Sequence, residues 1–101
     1  MNLLTFYVSE KQHHGGMPLY EWLLEEAKTI GVHGGSAFRA IAGFGRHGRM
    51  HEETFFELAG ELSVKVEFIL DDALAARLLE NVRSQNMKVF HTRQAVQAGV
   101  I

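Results

Sequence analysis

The sequence predicts an α+β fold in which two helices cover one side of a four-stranded antiparallel sheet. Short runs of alternating or β-branched apolar residues read as strands. Longer stretches with apolar residues three and four apart read as helices. The two kinds follow one another as strand, helix, strand, strand, helix, strand, an order that places both helices on the same side of the sheet.

Residues 3–8, Leu-Leu-Thr-Phe-Tyr-Val, are rich in the aromatic and branched side chains that suit a pleated surface, and form the first expected strand. Residues 10–16 are polar and close on Gly15-Gly16, a loop. Pro18 stands where a helix tolerates a missing N–H, its first position. Leu19, Trp22, Leu23, Glu26, Ala27 and Ile30 recur at helical spacing, with Glu26 breaking the apolar face and Gly31 a C-terminal stop. Gly34-Gly35 leads into a second strand over residues 36–42. Its parity sends Ser36, Phe38, Ala40 and Ala42 to one face and Ala37, Arg39 and Ile41 to the other.

Residues 43–50 form a glycine-rich, basic connection, and Phe55, Leu58, Ala59 and Leu62 lean towards a helical turn within 52–62. Val64, Val66, Phe68 and Leu70 alternate with Lys65, Glu67 and Ile69 as a third strand. Asp71-Asp72 caps the second helix, whose buried side is marked by Leu74, Leu78 and Val82. Residues 87–92 make the last strand, and the tail ending in Ala98-Gly99-Val100-Ile101 is short and loose. The order is the split βαβ, or ferredoxin-like, arrangement. Its uncovered face is expected to carry Thr5, Tyr7, Arg39, Lys65 and Glu67 or their alternates, and to meet either water or further copies of the chain.

Length and composition narrow the function. The 101 residues fit one domain, residues 1–101, with a modest core that self-association would extend. A net charge of −2 offers no broad attraction for nucleic acid or an anionic membrane. Without cysteine there is no disulfide, thiolate catalysis or Cys-based zinc site. No apolar run reaches the length of a membrane span, and Met1-Asn2-Leu3-Leu4 lacks the basic flank of a signal peptide, so the expected compartment is the cytoplasm.

The stretch that points to chemistry is Gly43-Phe44-Gly45-Arg46. Two glycines around an aromatic let backbone amides approach a ligand unobstructed by a Cβ. Arg46 adds a planar cation with five donors, suited to phosphate or carboxylate. Gly43, Gly45 and Gly48 also match the dinucleotide spacing G-x-G-x-x-G, but that use requires a parallel βαβ unit, which this element order lacks. Lys88 is a second candidate cation, whereas Arg39, inside a strand, suits a structural ion pair. His47 and His51, four apart with Met50 between them, are candidate metal ligands, though two histidines without a third ligand make a poor zinc site. Glu52 and Glu53 are adjacent, so their side chains diverge, and no serine shows a base partner in the sequence. The reading is of a non-enzymatic protein.

Pro18-Leu19-Tyr20, Gly31 with Gly34-Gly35, Arg39, and Gly43-Phe44-Gly45 through His51 resemble the uncharacterised PII-like proteins, relatives of the nitrogen-regulatory PII signal-transduction family. The resemblance runs over residues 3–92. It implies a ferredoxin-like subunit, a homotrimer, and an adenine nucleotide held in clefts between subunits, with ligand state relayed to a regulated protein partner. By position, Gly43, Phe44, Gly45 and Arg46 would line that cleft, and Lys88 would face phosphate. Residues 83–87, Arg-Ser-Gln-Asn-Met, differ from PII in lacking the glycine-rich phosphate loop before the last strand. Ala37 stands where PII proteins carry a threonine near the purine, and the connection after Gly45 is much shorter than the long PII loop. The chain also looks like the divalent-cation tolerance proteins, which share this fold. That alternative implies a metal-binding trimer with His47, Met50 and His51 as ligands.

Overall fold

The computed structural model describes residues 1–44 and 63–101. The expected turn within 52–62 lies outside them. The elements are β1 (Asn2–Ser9), β2 (His13–His14), β3 (Met17–Pro18), α1 (Leu19–Thr29), β4 (Gly35–Arg39), β5 (Ser63–Leu70), α2 (Asp72–Ser84) and β6 (Phe90–Ala95). The main sheet has four strands in the order β4-β5-β1-β6, and every pairing is antiparallel. This is the expected ferredoxin-like topology.

The two central strands make the core. Leu4, Phe6 and Val8 of β1 lie opposite Phe68, Val66 and Val64 of β5, and all six are buried. Period-2 alternation sends these residues to the helical side, where they meet Leu19, Leu23 and Ala27 of α1 and Ala75, Leu78 and Val82 of α2. The Phe6 and Phe68 rings contact edge to face with centroids 6.3 Å apart, a geometry that adds to their burial. Glu26, the break in the apolar face of α1, accepts a hydrogen bond from Asn81 Nδ2 of α2 at 2.6 Å. It is a polar clasp between helices rather than a packing defect. Among the described residues no helix is long and apolar enough to cross a membrane.

Three boundaries differ from the sequence reading. Residues 10–16 are not simply a loop. His13 and His14 pair with Pro18 and Met17 in a hairpin whose central Gly15 and Gly16 have φ of +61° and +82°, as a two-residue type I′ turn requires. Pro18 therefore ends a strand and precedes α1 as its N-cap, with extended ψ of 140°. Strand β4 stops at Arg39 instead of running to residue 42. The Ala40 N–H still donates to Ser63 O at 2.8 Å, but β5 begins at Ser63, so later residues have no described partner strand.

The last strand spans Phe90–Ala95 rather than residues 87–92. After α2 the chain reverses at Asn86, the one described non-glycine residue with positive φ, +64°. Met87 and Val89 then pack against the core before pairing begins. Lys88 consequently sits in this connection, exposed, and not on a strand. Beyond β6 the tail has no regular structure, as expected, although the Val96 N–H donates to Met1 O at 3.0 Å.

The start of α2 is doubly secured. Asp71 caps it as expected, its Oδ1 accepting from the Leu74 N–H at 2.8 Å. Asp72 Oδ1 accepts from Asn2 Nδ2 at 2.7 Å and from Arg93 at 3.2 Å, which ties the helix to β1 and β6. The Asn2 hydrogen bond, and then that of Arg93, hold the Asp72 carboxyl below its usual range by favouring the charged form.

Both the turn at Asn86 and the Asp72 junction can be tested through stability. A left-handed residue costs a branched side chain about 1–2 kcal/mol, so Asn86→Val should lower unfolding free energy by that amount in a denaturant titration, while Asn86→Gly leaves it level or raised. For Asp72 the folded pKa is depressed, so its contribution is present above the unfolded value and is lost as pH falls through the folded one. Melting curves of wild type and Asp72→Asn should differ near neutrality and converge in acid, once pH has fallen through the depressed folded pKa below the ordinary carboxylate range. A gap that persists unchanged into acid would remove Asp72 from the stability account.

Candidate anion site

The segment that leads to the candidate site starts where α1 ends. Gly31 takes φ of +102°, the left-handed turn that glycine makes freely. Gly35 then opens β4 against the core. A Cβ built there would collide with the Phe68 ring and lie 3.2 Å from Leu24 Cδ2. Close approach of backbone to an aromatic, not turn conformation, explains this glycine.

Register settles which way β4 faces. Ala37 and Arg39 lie opposite Val66 and Val64, on the helical side, while Ser36 and Phe38 lie opposite Glu67 and Lys65, on the open side. The parity read from the sequence is right. Placing Arg39 on the uncovered face with Lys65 is not, because β4 joins β5 with Phe38 in that row. The Arg39 Nε instead donates to Glu10 Oε1 at 2.9 Å, across the first residues of β5. The expected structural ion pair is present, and it lies within the chain.

Beyond Arg39 the chain leaves the sheet. Ile41 and Phe44 are both 96% exposed. Around Gly43 a Cβ would meet nothing within 4 Å, so ligand access there is open on the described side. Gly45, Arg46, His47 and His51 lie outside the described residues. Of the candidate anion-binding residues, the structure thus places Gly43 and Phe44 just past β4, and Lys88 just before β6.

These two places share one end of the sheet. Arg39 is opposite Val64, next to the first residue of β5. Phe90 is opposite Tyr7, two residues before β1 ends at Ser9. Yet β4 and β6 are opposite edges of the sheet. Three interstrand spacings put those edges about 14 Å apart. The two central strands therefore lie between the edges from which these connections leave.

The open face between the edges has its own order. Phe38, Lys65, Tyr7 and Phe90 form one rung across all four strands. Lys65 Nζ lies 5.4 Å from the Phe38 ring centroid and 3.0 Å from Glu67 Oε2. The Tyr7 and Phe90 rings are 5.7 Å apart. The Glu67 hydrogen bond and charge raise the Lys65 pKa, keeping the amine protonated beside its aromatic neighbours. Leu3 and Ile69 add apolar surface on the same face, opposite each other. Thr5, in the middle, is only 3% exposed. Sequence reasoning found the alternation but missed Phe38 and Phe90 as members of this face, because both lie on edge strands whose partners only the register reveals.

Two of the described histidines make packing contacts. His14 packs edge-on to Trp22 at 4.9 Å and contacts Gln85 Oε1 through Nε2 at 3.0 Å. His91 lies against Phe6 at 6.1 Å. Among the described residues no three His, Asp or Glu side chains gather as a metal site.

The sheet order and the two helices on one face define a ferredoxin-like fold. The fold is matched by a "putative PII-like signaling protein" of Thermus thermophilus, at a TM-score of 0.60 and 21% identity over 92% of this chain and 83% of that one. A UPF0166 protein of Aquifex aeolicus strain VF5 is 37% identical over 84 residues, covering 83% of this chain and 80% of that protein. The profile of the DUF190 family, described as "Uncharacterized ACR", matches residues 1–98, and the chain belongs to that family.

Proposed function

We propose that this protein is a PII-like regulator, not an enzyme, that assembles as a homotrimer in the cytoplasm and binds an adenine nucleotide in the clefts between subunits. The observation that carries this reading is the separation of the two candidate half-sites. Gly43 and Phe44 follow one edge strand of the sheet, and Lys88 precedes the other. They can serve one ligand if the β4 edge of one copy meets the β6 edge of the next. Such a contact is head-to-tail, and repeated around an axis it closes into a ring. The open face supports the same assembly. It presents Phe38, Ile69 and Phe90, 48%, 46% and 60% exposed, together with one Lys65–Glu67 pair that leaves the face without net charge. Two such faces can meet without like-charge repulsion.

In the cleft, backbone amides around Gly43 and Gly45 approach phosphate oxygens, and Arg46 and Lys88 supply charge-assisted hydrogen bonds. The missing glycines at residues 83–87 favour a ligand held chiefly by side-chain cations. Occupancy informs a protein partner only if the nucleotide binds two conformations of the connection after Gly45 unequally.

Melting temperature measured with AMP, ADP, ATP, cyclic AMP and divalent metals tests the ligand class, because only a molecule that favours the native state raises it. A nucleotide shift is expected. Arg46→Ala or Lys88→Ala should weaken nucleotide binding about 10- to 100-fold, the loss of a charge-assisted hydrogen bond of about 1.5–3 kcal/mol. A shift with copper or zinc alone, lost in His47→Ala and His51→Ala, would support the metal-binding reading instead. Light scattering should give a trimer for the wild type and a smaller species for Tyr7→Glu, which puts a carboxylate in the aromatic rung. A monomeric wild type would overturn the shared cleft.

A further inference from the structure

We infer that Lys65 and Glu67 pair with their counterparts on neighbouring copies of this chain, closing a ring of alternating charge where the open faces of the sheets meet. The inference rests on the assembly reading above and adds the contact that places the copies. Open-side residues fall in rows, and the row beside Phe38, Lys65, Tyr7 and Phe90 is Ser36, Glu67, Thr5 and Thr92. The row beyond it, Leu3 flanked by Ile69 and Gln94, is uncharged. Lys65 and Glu67 are thus the only cation and carboxylate in these three rows, two residues apart on β5 and joined at 3.0 Å. The two arginines of the sheet, Arg39 and Arg93, fall in rows on the helical side.

A face with one cation and one anion side by side is its own complement. Residues two apart on a strand are about 7 Å apart along it, so copies related by rotation set a layer of Lys65 ammonium groups beside a layer of Glu67 carboxylates. Each ammonium then has its own carboxylate and a neighbour's to share, and the charges cancel for any number of copies. A face of one sign selects a partner of the other sign, whereas this one suits a second copy of itself. The two side chains are 47% and 26% exposed, open enough for a neighbour to reach.

The surroundings favour the same contact. Phe38 and Phe90 end the Lys65 row at both edges, and Ile69 follows Glu67 along β5. All three are large apolar side chains left partly exposed, and together on one face they make the kind of patch that marks an interaction surface. Thr5, beside Glu67, is nearly inaccessible, so the side chains around it already close into a layer and little ordering is needed on contact. Drying the ion pairs among these apolar groups raises the cost of leaving one charge without its opposite. Loss of either partner would crowd like charges at the centre of the assembly.

Charge reversal tests the ring through the size of the assembly. Light scattering over a concentration series compares wild type, Lys65→Glu, Glu67→Lys and the double reversal, with a melting curve of each to show that it is folded. Each single reversal should associate at least about 100-fold more weakly, the effect of like charges set against each other. Lys65→Gln and Glu67→Gln repeat the test without crowding like charges inside one chain, and should each weaken association about tenfold. The double reversal should regain the wild-type size. An equimolar mixture of Lys65→Glu and Glu67→Lys restores opposite charges between chains but not within either. It should assemble, and affinity-tagged Lys65→Glu should retain untagged Glu67→Lys on a column. If the four single variants are as large as wild type, or if mixing leaves both reversals dissociated, the ring is overturned while an assembled wild type keeps the assembly reading. If wild type is a monomer throughout the series, the assembly reading fails and the ring fails with it.

Discussion

The structure depends on the pairing of β1 with β5. Eight residues of each strand lie opposite one another, and one face of that ladder supplies half of the buried hydrophobic core among the described residues: Leu4, Phe6, Val8, Val64, Val66, Phe68 and Leu70. A slip of one residue would turn this row to the open side and Lys65 and Glu67 into the core, so the register is strongly enforced. From it everything else takes position. The helices must cover that row, and β4 and β6 can only add at the two outer edges.

The edges behave differently from the centre. Every residue of β4 and of β6 is exposed, on the helical side as well as the open one. Two helices of 11 and 13 residues are wide enough to cover the two central strands and little more. Edge strands of this kind offer unpaired N–H and C=O groups to a neighbour unless charge or assembly occupies them. Here Arg39 and Arg93 sit on the edges, and each is drawn inward by an acidic partner, Glu10 and Asp72.

How much of this could be read beforehand follows from which signals are local. The central strands and both helices were legible, because period 2 in residues 64–70 and the i, i+3, i+4 spacing from Leu19 to Ala27 are properties of single segments. The Asp71 cap was legible for the same reason. Glu26 was visible as an anomaly, but its explanation lies in Asn81, fifty-five residues away. The last strand was misplaced because Met87 and Val89 look like strand residues and are in fact core residues of a connection. Only the turn at Asn86 delays pairing until Phe90. The hairpin at Gly15-Gly16 was readable in principle, since two glycines between short runs signal a type I′ turn. Its strands are two residues each, too short for any alternation to register.

The candidate site shows why topology matters more than motif. Gly43-Phe44-Gly45-Arg46 and Lys88 are each weak signals, and the sequence alone places both near strand ends without saying which edge. The sheet order puts Gly43 and Lys88 at one end, beside opposite edges. In the proposed head-to-tail assembly, the β4 edge of one copy and the β6 edge of the next would bring the two together. The two described cations nearest these connections in sequence are held differently. Arg39 reaches across the first described residues of β5 to Glu10. Lys88 has no such strand to cross. It stands exposed in a connection held down on either side by Met87 and Val89.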